Sequence, residues 1–138
     1  MQEKFNNMSL KPPADDRIMD TTPASIDLTL LMEQIKETSS WKDGKQNALV
    51  IFKTDGLKIV LIALHKGAEM ARHTADGIIS VQVLEGRMQF NTDQQSVELN
   101  KGQMQVLHER IPHSVLAIDE TIFMLTLIAT ASANRSRL

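Results

Sequence analysis

The 138-residue chain contains no cysteine, and its aromatic residues are limited to one tryptophan and four phenylalanines. Without cysteine the protein has no disulfide framework, no thiol nucleophile and no thiolate metal site. Aromatic residues make up only 4% of the chain while its hydrophobic fraction is 42%. We therefore expect a core built mainly from leucine, isoleucine, valine and methionine, in a single domain of ordinary size.

Strong net charge and long apolar runs are also missing. The formal net charge is −2 and the sequence pI is about 6.1, which points to neither a nucleic-acid partner nor a membrane surface. The N-terminus lacks the basic start and apolar run of a signal peptide. No apolar run is long enough to span a bilayer. We therefore expect a cytoplasmic protein.

The N-terminal third predicts an arm followed by a helix. Residues 1–23 are polar, contain three prolines and show no hydrophobic period, so they predict a polar N-terminal arm. Within residues 25–38, apolar side chains recur at helical spacing and predict a short helix, which Asp27 or Thr29 can cap. We expect residues 39–47 to form a loop in which Trp41 serves packing.

From residue 48 onward the pattern changes to eight or nine short strands, separated by turn signals such as Asp55-Gly56 and Glu85-Gly86. This spacing predicts an all-β sandwich or small antiparallel barrel. Residues 24–130 are expected to form one domain, with 131–138 as a C-terminal tail. The strand at 57–65 is apolar on both faces, so a core must cover one side and the helix or a second subunit the other. On this ground we expect a homodimer.

Alternation along the strands predicts which side chains point inward. The residues expected inside are Ile79, Val81, Val83, Met88, Phe90, Met104 and Val106.

Two glycine-to-histidine spacings resemble the motifs of the cupin family. The first motif reads G, five residues, H, one residue, H, three or four residues, E, six residues, G. Gly67 and His73 match its start, and the closing turn at residues 83–87 (VLEGR) is typical of the family. Ala75 stands at the second histidine position and Ile79 at the glutamate position.

The second cupin motif reads G, five residues, P, one residue, G, two residues, H. Gly102 matches its start and His113 its end. His108 replaces the motif's proline and Arg110 its glycine, while Pro112 directly precedes His113. The resemblance covers residues 48–130.

The resemblance implies a double-stranded β-helix, or jelly-roll, barrel with its core in residues 48–130. Many cupins hold a divalent metal with three histidines and one glutamate, and this chain keeps two of those positions, His73 and His113. These are the candidate ligands for one transition metal (Fe, Mn, Ni, Cu or Zn), with His108 as the best candidate third ligand. Alternatively, both are neutral barrel histidines bonded to polar neighbours, or they bind a small carboxylate or phosphate without metal.

Two classes of function follow. In the first, the protein is a small-molecule-binding or sensory module, whose expected ligand-binding residues are His73, His113, His108, Ile79, Val81, Met88, Phe90 and Met104. In the second, it is a metal-dependent oxygenase or isomerase. We assign no catalytic residue, because strand alternation separates Ser114 from His113 and leaves no nucleophile pair.

Overall fold

The computed structural model describes residues 23–129. The predicted arm, apart from Pro23, and the predicted C-terminal tail lie outside these residues. The described part contains the helices α1 (Leu28–Ile35) and α2 (Ser39–Asp43), followed by the strands β1 (Gln46–Thr54), β2 (Leu57–Leu64), β3 (Glu69–His73), β4 (Gly77–Glu85), β5 (Arg87–Thr92), β6 (Ser96–Asn100), β7 (Met104–Leu107), β8 (His113–Ala117) and β9 (Thr121–Ala129). Neither of these helices is long enough to cross a membrane.

The strands form two antiparallel sheets, which confirms the all-β prediction. One sheet has five strands in the order β1-β2-β9-β4-β7, and the other has four in the order β3-β8-β5-β6. Tight Gly turns join several neighbours. At Gly86, for example, φ is +89°, a conformation that only glycine adopts without strain. The chain thus crosses between the sheets repeatedly rather than building one sheet at a time.

The main core lies between the two sheets and follows the predicted alternation. Ile79, Val81 and Val83 of β4 are at most 3% exposed, and Met88 and Phe90 of β5 are at most 1% exposed. All five belong to one cluster that also includes apolar side chains of β1, β2, β8 and β9. Strand alternation was therefore sufficient to identify the inward residues of β4 and β5.

A second cluster lies on the outer face of the five-stranded sheet. There Leu31, Ile35 and Trp41 of the helices pack on the outward residues Leu49, Leu61, Ala63 and Ile122. The two-sided apolar strand 57–65 is thus explained in part within one chain, because the helices cover the end of its outer face at Leu61 and Ala63.

Hydrogen bonds anchor both helices to the sheet. Asp27 caps α1, since its Oδ1 accepts from the Leu30 backbone N–H at 3.1 Å, as predicted. The prediction of a loop at residues 39–47 is wrong in part, because Thr38 caps the short helix α2. Buried Asn47 donates through Nδ2 to the Ile35 carbonyl at 3.0 Å and so ties the end of α1 to β1.

The prediction that Met104 and Val106 point inward is wrong, since they are 52% and 58% exposed. Strand β7 forms one edge of the five-stranded sheet, and its pairing with β4 sets Leu107 opposite Ile79. Directly paired residues share a face, so Leu107 takes the inward position and is 4% exposed. The alternating pattern predicted the strand β7 correctly, but the prediction of which of its side chains point inward was wrong.

Candidate functional site

Strands β3 and β8 bring the two motif histidines side by side. His73 and His113 are direct partners in the antiparallel register, and their ring centroids lie 4.4 Å apart. Between Met70 and His73 the register shifts by one residue. Since Met70 packs against the core, simple alternation would turn His73 outward, and this β-bulge returns it to the face of His113.

A backbone carbonyl two residues earlier in the chain orients each imidazole. His73 Nδ1 lies 2.8 Å from the Ala71 oxygen, and His113 Nδ1 lies 2.8 Å from the Ile111 oxygen. A carbonyl can only accept, so Nδ1 carries the proton in both rings, and Nε2 of the neutral ring keeps a lone pair. Both rings therefore have the same tautomer, in which Nε2 of the neutral ring is a hydrogen-bond acceptor.

The two histidines differ in their contact with water. His113 is 5% exposed and its ring stacks on Phe90, with centroids 5.6 Å apart and an interplanar angle of 10°. Burial lowers the pKa of His113; the Ile111 carbonyl opposes this and neighbouring His73 adds to it. His113 is therefore neutral at pH 7. His73 is exposed, so the pair lies where the apolar core meets solvent.

Two loops join beside this pair. The Arg110 backbone N–H donates to the Ala75 carbonyl at 2.9 Å, which links the loop after β3 to the loop before β8. Arg110 has a φ of 62°, a left-handed conformation that costs an L-residue about 1–2 kcal/mol. Arg110 occupies the glycine position of the second motif, and a positive φ is a conformation that glycine adopts without strain.

The described residues do not supply a complete protein-held metal site. In residues 23–129 no three histidine or carboxylate side chains come close enough to hold one ion. The predicted third ligand, His108, is exposed in the segment after β7 and does not join the pair. At the motif's glutamate position, Ile79 is 3% exposed within the core. These two imidazoles alone fall short of the three ligands that tight binding requires.

The apolar residues predicted to line a ligand pocket have different positions. Ile79, Val81 and Met88 are packed inside the core cluster, and Phe90 alone among them stacks on a site histidine. Met104 lies on the outer face of the five-stranded sheet, so its predicted place in the barrel pocket is wrong.

A cleft of about 300 Å³ opens beside the β1–β2 hairpin, and neither His73 nor His113 lines it. Lys53 and Lys58 line this cleft, and they are directly paired residues of β1 and β2. Burial, and then the charge of Lys53, lowers the pKa of Lys58. Sequence reasoning missed this pair, although two lysines placed symmetrically about Asp55-Gly56 were a visible signal.

His65 has a structural role. Its ring stacks on Trp41 with centroids 3.5 Å apart, and its Nε2 lies 2.8 Å from the Trp41 carbonyl oxygen. It therefore belongs to the contact between α2 and the sheet, which agrees with the packing role predicted for Trp41.

Comparison with known proteins identifies solved structures that have a similar fold. No family model and no curated protein matches the chain. Among solved structures, an RmlC-like cupin from Desulfovibrio desulfuricans is similar with a TM-score of 0.64 and 22% identity over 78% of this chain and 97% of that one. A conserved protein of unknown function from Streptococcus pyogenes is similar with a TM-score of 0.65 and 23% identity over 79% and 90%.

A third similar structure is an HTH_3 family transcriptional regulator from Vibrio cholerae, with a TM-score of 0.59 and 23% identity over 72% of this chain and 59% of that one. These likenesses show that the chain has the cupin fold, which confirms the jelly-roll barrel expected from the two motifs. At such identities they establish the fold alone.

Proposed function

We propose that the protein is a small-molecule-binding or sensory module whose ligand is held by His73 and His113. The observation that carries the proposal is the cross-strand pair itself, with ring centroids 4.4 Å apart and both Nδ1 atoms held by carbonyl oxygens. Polar groups that are oriented in advance next to an apolar core are typical of small-molecule sites. The likeness to a transcriptional regulator supports a sensory role.

The tautomer of the pair determines the chemistry of the ligand. In this tautomer a neutral ring offers a lone pair at Nε2, which accepts a hydrogen bond and favours a ligand that donates, such as an alcohol or an amide. A carboxylate or phosphate needs a donor, and the ring supplies one at Nε2 only after it is protonated. Because burial lowers the pKa of His113, anion binding is disfavoured at neutral pH.

Matched ligands test this proposal. We expect butanol to shift the ring resonances of His73 and His113 at pH 7.5 in NMR spectra of the full chain, whereas butyrate should do so only at a pH low enough to protonate His113. His73→Ala and His113→Ala should each abolish the shift of the remaining ring. His108→Ala is the control, because His108 lies apart from the pair, and it should bind normally. Equal responses to both ligands at pH 7.5 would contradict the proposal.

The same tautomer supports a second candidate function, a metal-dependent enzyme, since a neutral imidazole binds metal through a free nitrogen. His73 and His113 would hold the ion, and water or substrate would have to complete its coordination. The incomplete ligand set argues for the binding module as the first candidate. Elemental analysis of untagged protein separates the two: an enzyme predicts near-stoichiometric transition metal that both alanine variants lose, and a metal-free protein after incubation with Fe, Mn, Ni, Cu or Zn rejects it.

A further inference from the structure

The cleft beside the β1–β2 hairpin combines apolar and cationic side chains. Its volume is about 300 Å³, which is at the lower end of the range for small-molecule sites. Leu57, Leu127 and Ala129 contribute the apolar part of its lining, and Lys53 and Lys58 contribute two ammonium groups. A ligand that fits such a lining is small and has an apolar part next to an anionic group.

The strand registers place both lysines on the core-facing side of the five-stranded sheet. Lys58 pairs with Lys53 of β1 and with Leu127 of β9. Leu127 in turn pairs with Ile79 of β4, which is 3% exposed within the core. Because directly paired residues share a face, all four point to the core side of the sheet. The apolar interior of the sheet therefore ends in two lysines, whose aliphatic stems cover apolar surface while their charged ends reach toward water.

Two ammonium groups side by side favour a bound anion. Like charges directly opposite each other destabilise an antiparallel pair, and the charge of Lys53 is one cause, after burial, of the lowered pKa of Lys58. Asp55 and Asp76 also line the cleft, but neither is among the causes of that lowered pKa. Both aspartates are exposed to solvent, where water and salt screen their charges. An anion that contacts both lysines replaces their repulsion by two charge-assisted hydrogen bonds.

We infer that this cleft binds a small monocarboxylate with a short apolar tail. The carboxylate accepts hydrogen bonds from both lysines, and the tail packs on the apolar part of the lining. Neither His73 nor His113 lines the cleft, so this second site does not depend on the ligand proposed for the histidine pair. The two sites also prefer different ligands, because the neutral histidines accept hydrogen bonds at Nε2 and the lysines donate them.

Butyrate and butylammonium test this site in the full-length chain at pH 7.5 and low salt, because their tails match and their charges are opposite. We expect butyrate to shift the backbone amide resonances of residues 53–58 in NMR spectra, and butylammonium to leave them unchanged, although two aspartates line the cleft. Acetate should bind roughly 10-fold more weakly than butyrate, since it lacks two methylene groups of the tail. The ring resonances of His73 and His113 should not respond to butyrate at this pH, so the failure of either site is visible separately.

Matched lysine variants locate the bound carboxylate. Lys53→Met and Lys58→Met each remove one charge and keep most of the stem, and each should weaken butyrate binding by about 10-fold or more, because one charge-assisted hydrogen bond is lost. Lys101→Met is the control: Lys101 is exposed in the turn before β7, outside the cleft, so this variant changes the net charge equally and should keep its affinity. Equal responses to butyrate and butylammonium, hairpin amides that butyrate does not shift, or an equal loss of affinity in Lys101→Met would overturn the inference.

Discussion

The contact between Phe90 and His113 links the core to the site, and replacing Phe90 tests that link. Phe90 is 1% exposed and stacks on the His113 ring. Phe123 is equally buried in the same cluster but has no ring contact with any described residue. Phe90→Leu and Phe123→Leu therefore remove the same atoms from one core, and only the first removes an aromatic pair.

The losses in the free energy of unfolding of the two variants should differ by the contribution of the Phe90–His113 ring contact. Exchanging phenylalanine for leucine reduces buried apolar area by roughly 40 Å², which at about 25 cal/mol per Å² is about 1 kcal/mol. A stacked pair adds about 0.5–1.5 kcal/mol. We expect Phe90→Leu to lower the free energy of unfolding by about 2 kcal/mol and Phe123→Leu by about 1 kcal/mol. For a chain of this size, each kcal/mol lost from the free energy of unfolding lowers the melting temperature by several degrees.

Urea unfolding measures these losses, and an NMR titration of His113 supplies a readout that stability alone does not affect. Burial is the main cause of the lowered pKa of His113, so opening the ring's apolar side in Phe90→Leu should raise this pKa toward its ordinary value. Phe123→Leu should leave it unchanged. If both variants shift the pKa of His113 equally, the stacking contact does not set the environment of the site.

Four further predictions follow from the structure. Because the pKa of His113 is lowered in the folded state, the unfolded state binds more protons below about pH 6.5. The free energy of unfolding should therefore fall as the pH decreases from 7 to 5, and urea titrations should show a weaker dependence on pH for His113→Gln. Asn47→Ala should cost about 2–3 kcal/mol in the same assay, because it removes the hydrogen bonds that the buried Asn47 side chain makes to the Ile35 carbonyl, the Thr38 hydroxyl and the Ala48 backbone N–H. Gly86→Ala should lower the free energy of unfolding by at least about 2 kcal/mol, because the φ of Gly86 is +89° and a Cβ there meets the backbone of the β8–β9 turn. Thermal unfolding should show a correspondingly lower melting temperature. Lys53→Glu replaces a pair of like charges across β1 and β2 by a pair of opposite charges, so it should raise the pKa of Lys58. It should also raise the free energy of unfolding by about 0.5 kcal/mol at low salt, and 1 M NaCl should remove this gain.

The sequence predicted the elements whose signals are local. The glycine turns and the alternation in β4 and β5 identified strands, and the motif spacings identified the fold and the histidine pair. The segment that forms β3 has no strand pattern of its own and lies between the turn residues Lys66-Gly67 and Asp76-Gly77. Its strand geometry depends on pairing with β8, which is remote in sequence, and on a bulge that no local pattern marks.

The composition of the site was harder to predict than its location. His108 was a reasonable third ligand by proximity in sequence, yet it is exposed and apart from the pair. The choice between the two faces of β7 depended on its register with β4, and both faces carry apolar side chains. The tautomers of His73 and His113 depend on carbonyl oxygens whose direction is known only from the folded backbone.

The position of β9 has a consequence for how the protein folds during synthesis. This strand lies between β2 and β4 in the five-stranded sheet, but it is the last of the described strands to leave the ribosome. Until residues 121–129 emerge, β2 and β4 each lack a neighbour and expose an unsatisfied backbone edge. Such edges attract other nascent chains. The sheet therefore closes only after nearly the whole described domain is made, and slower synthesis leaves these two strand edges unpaired for longer.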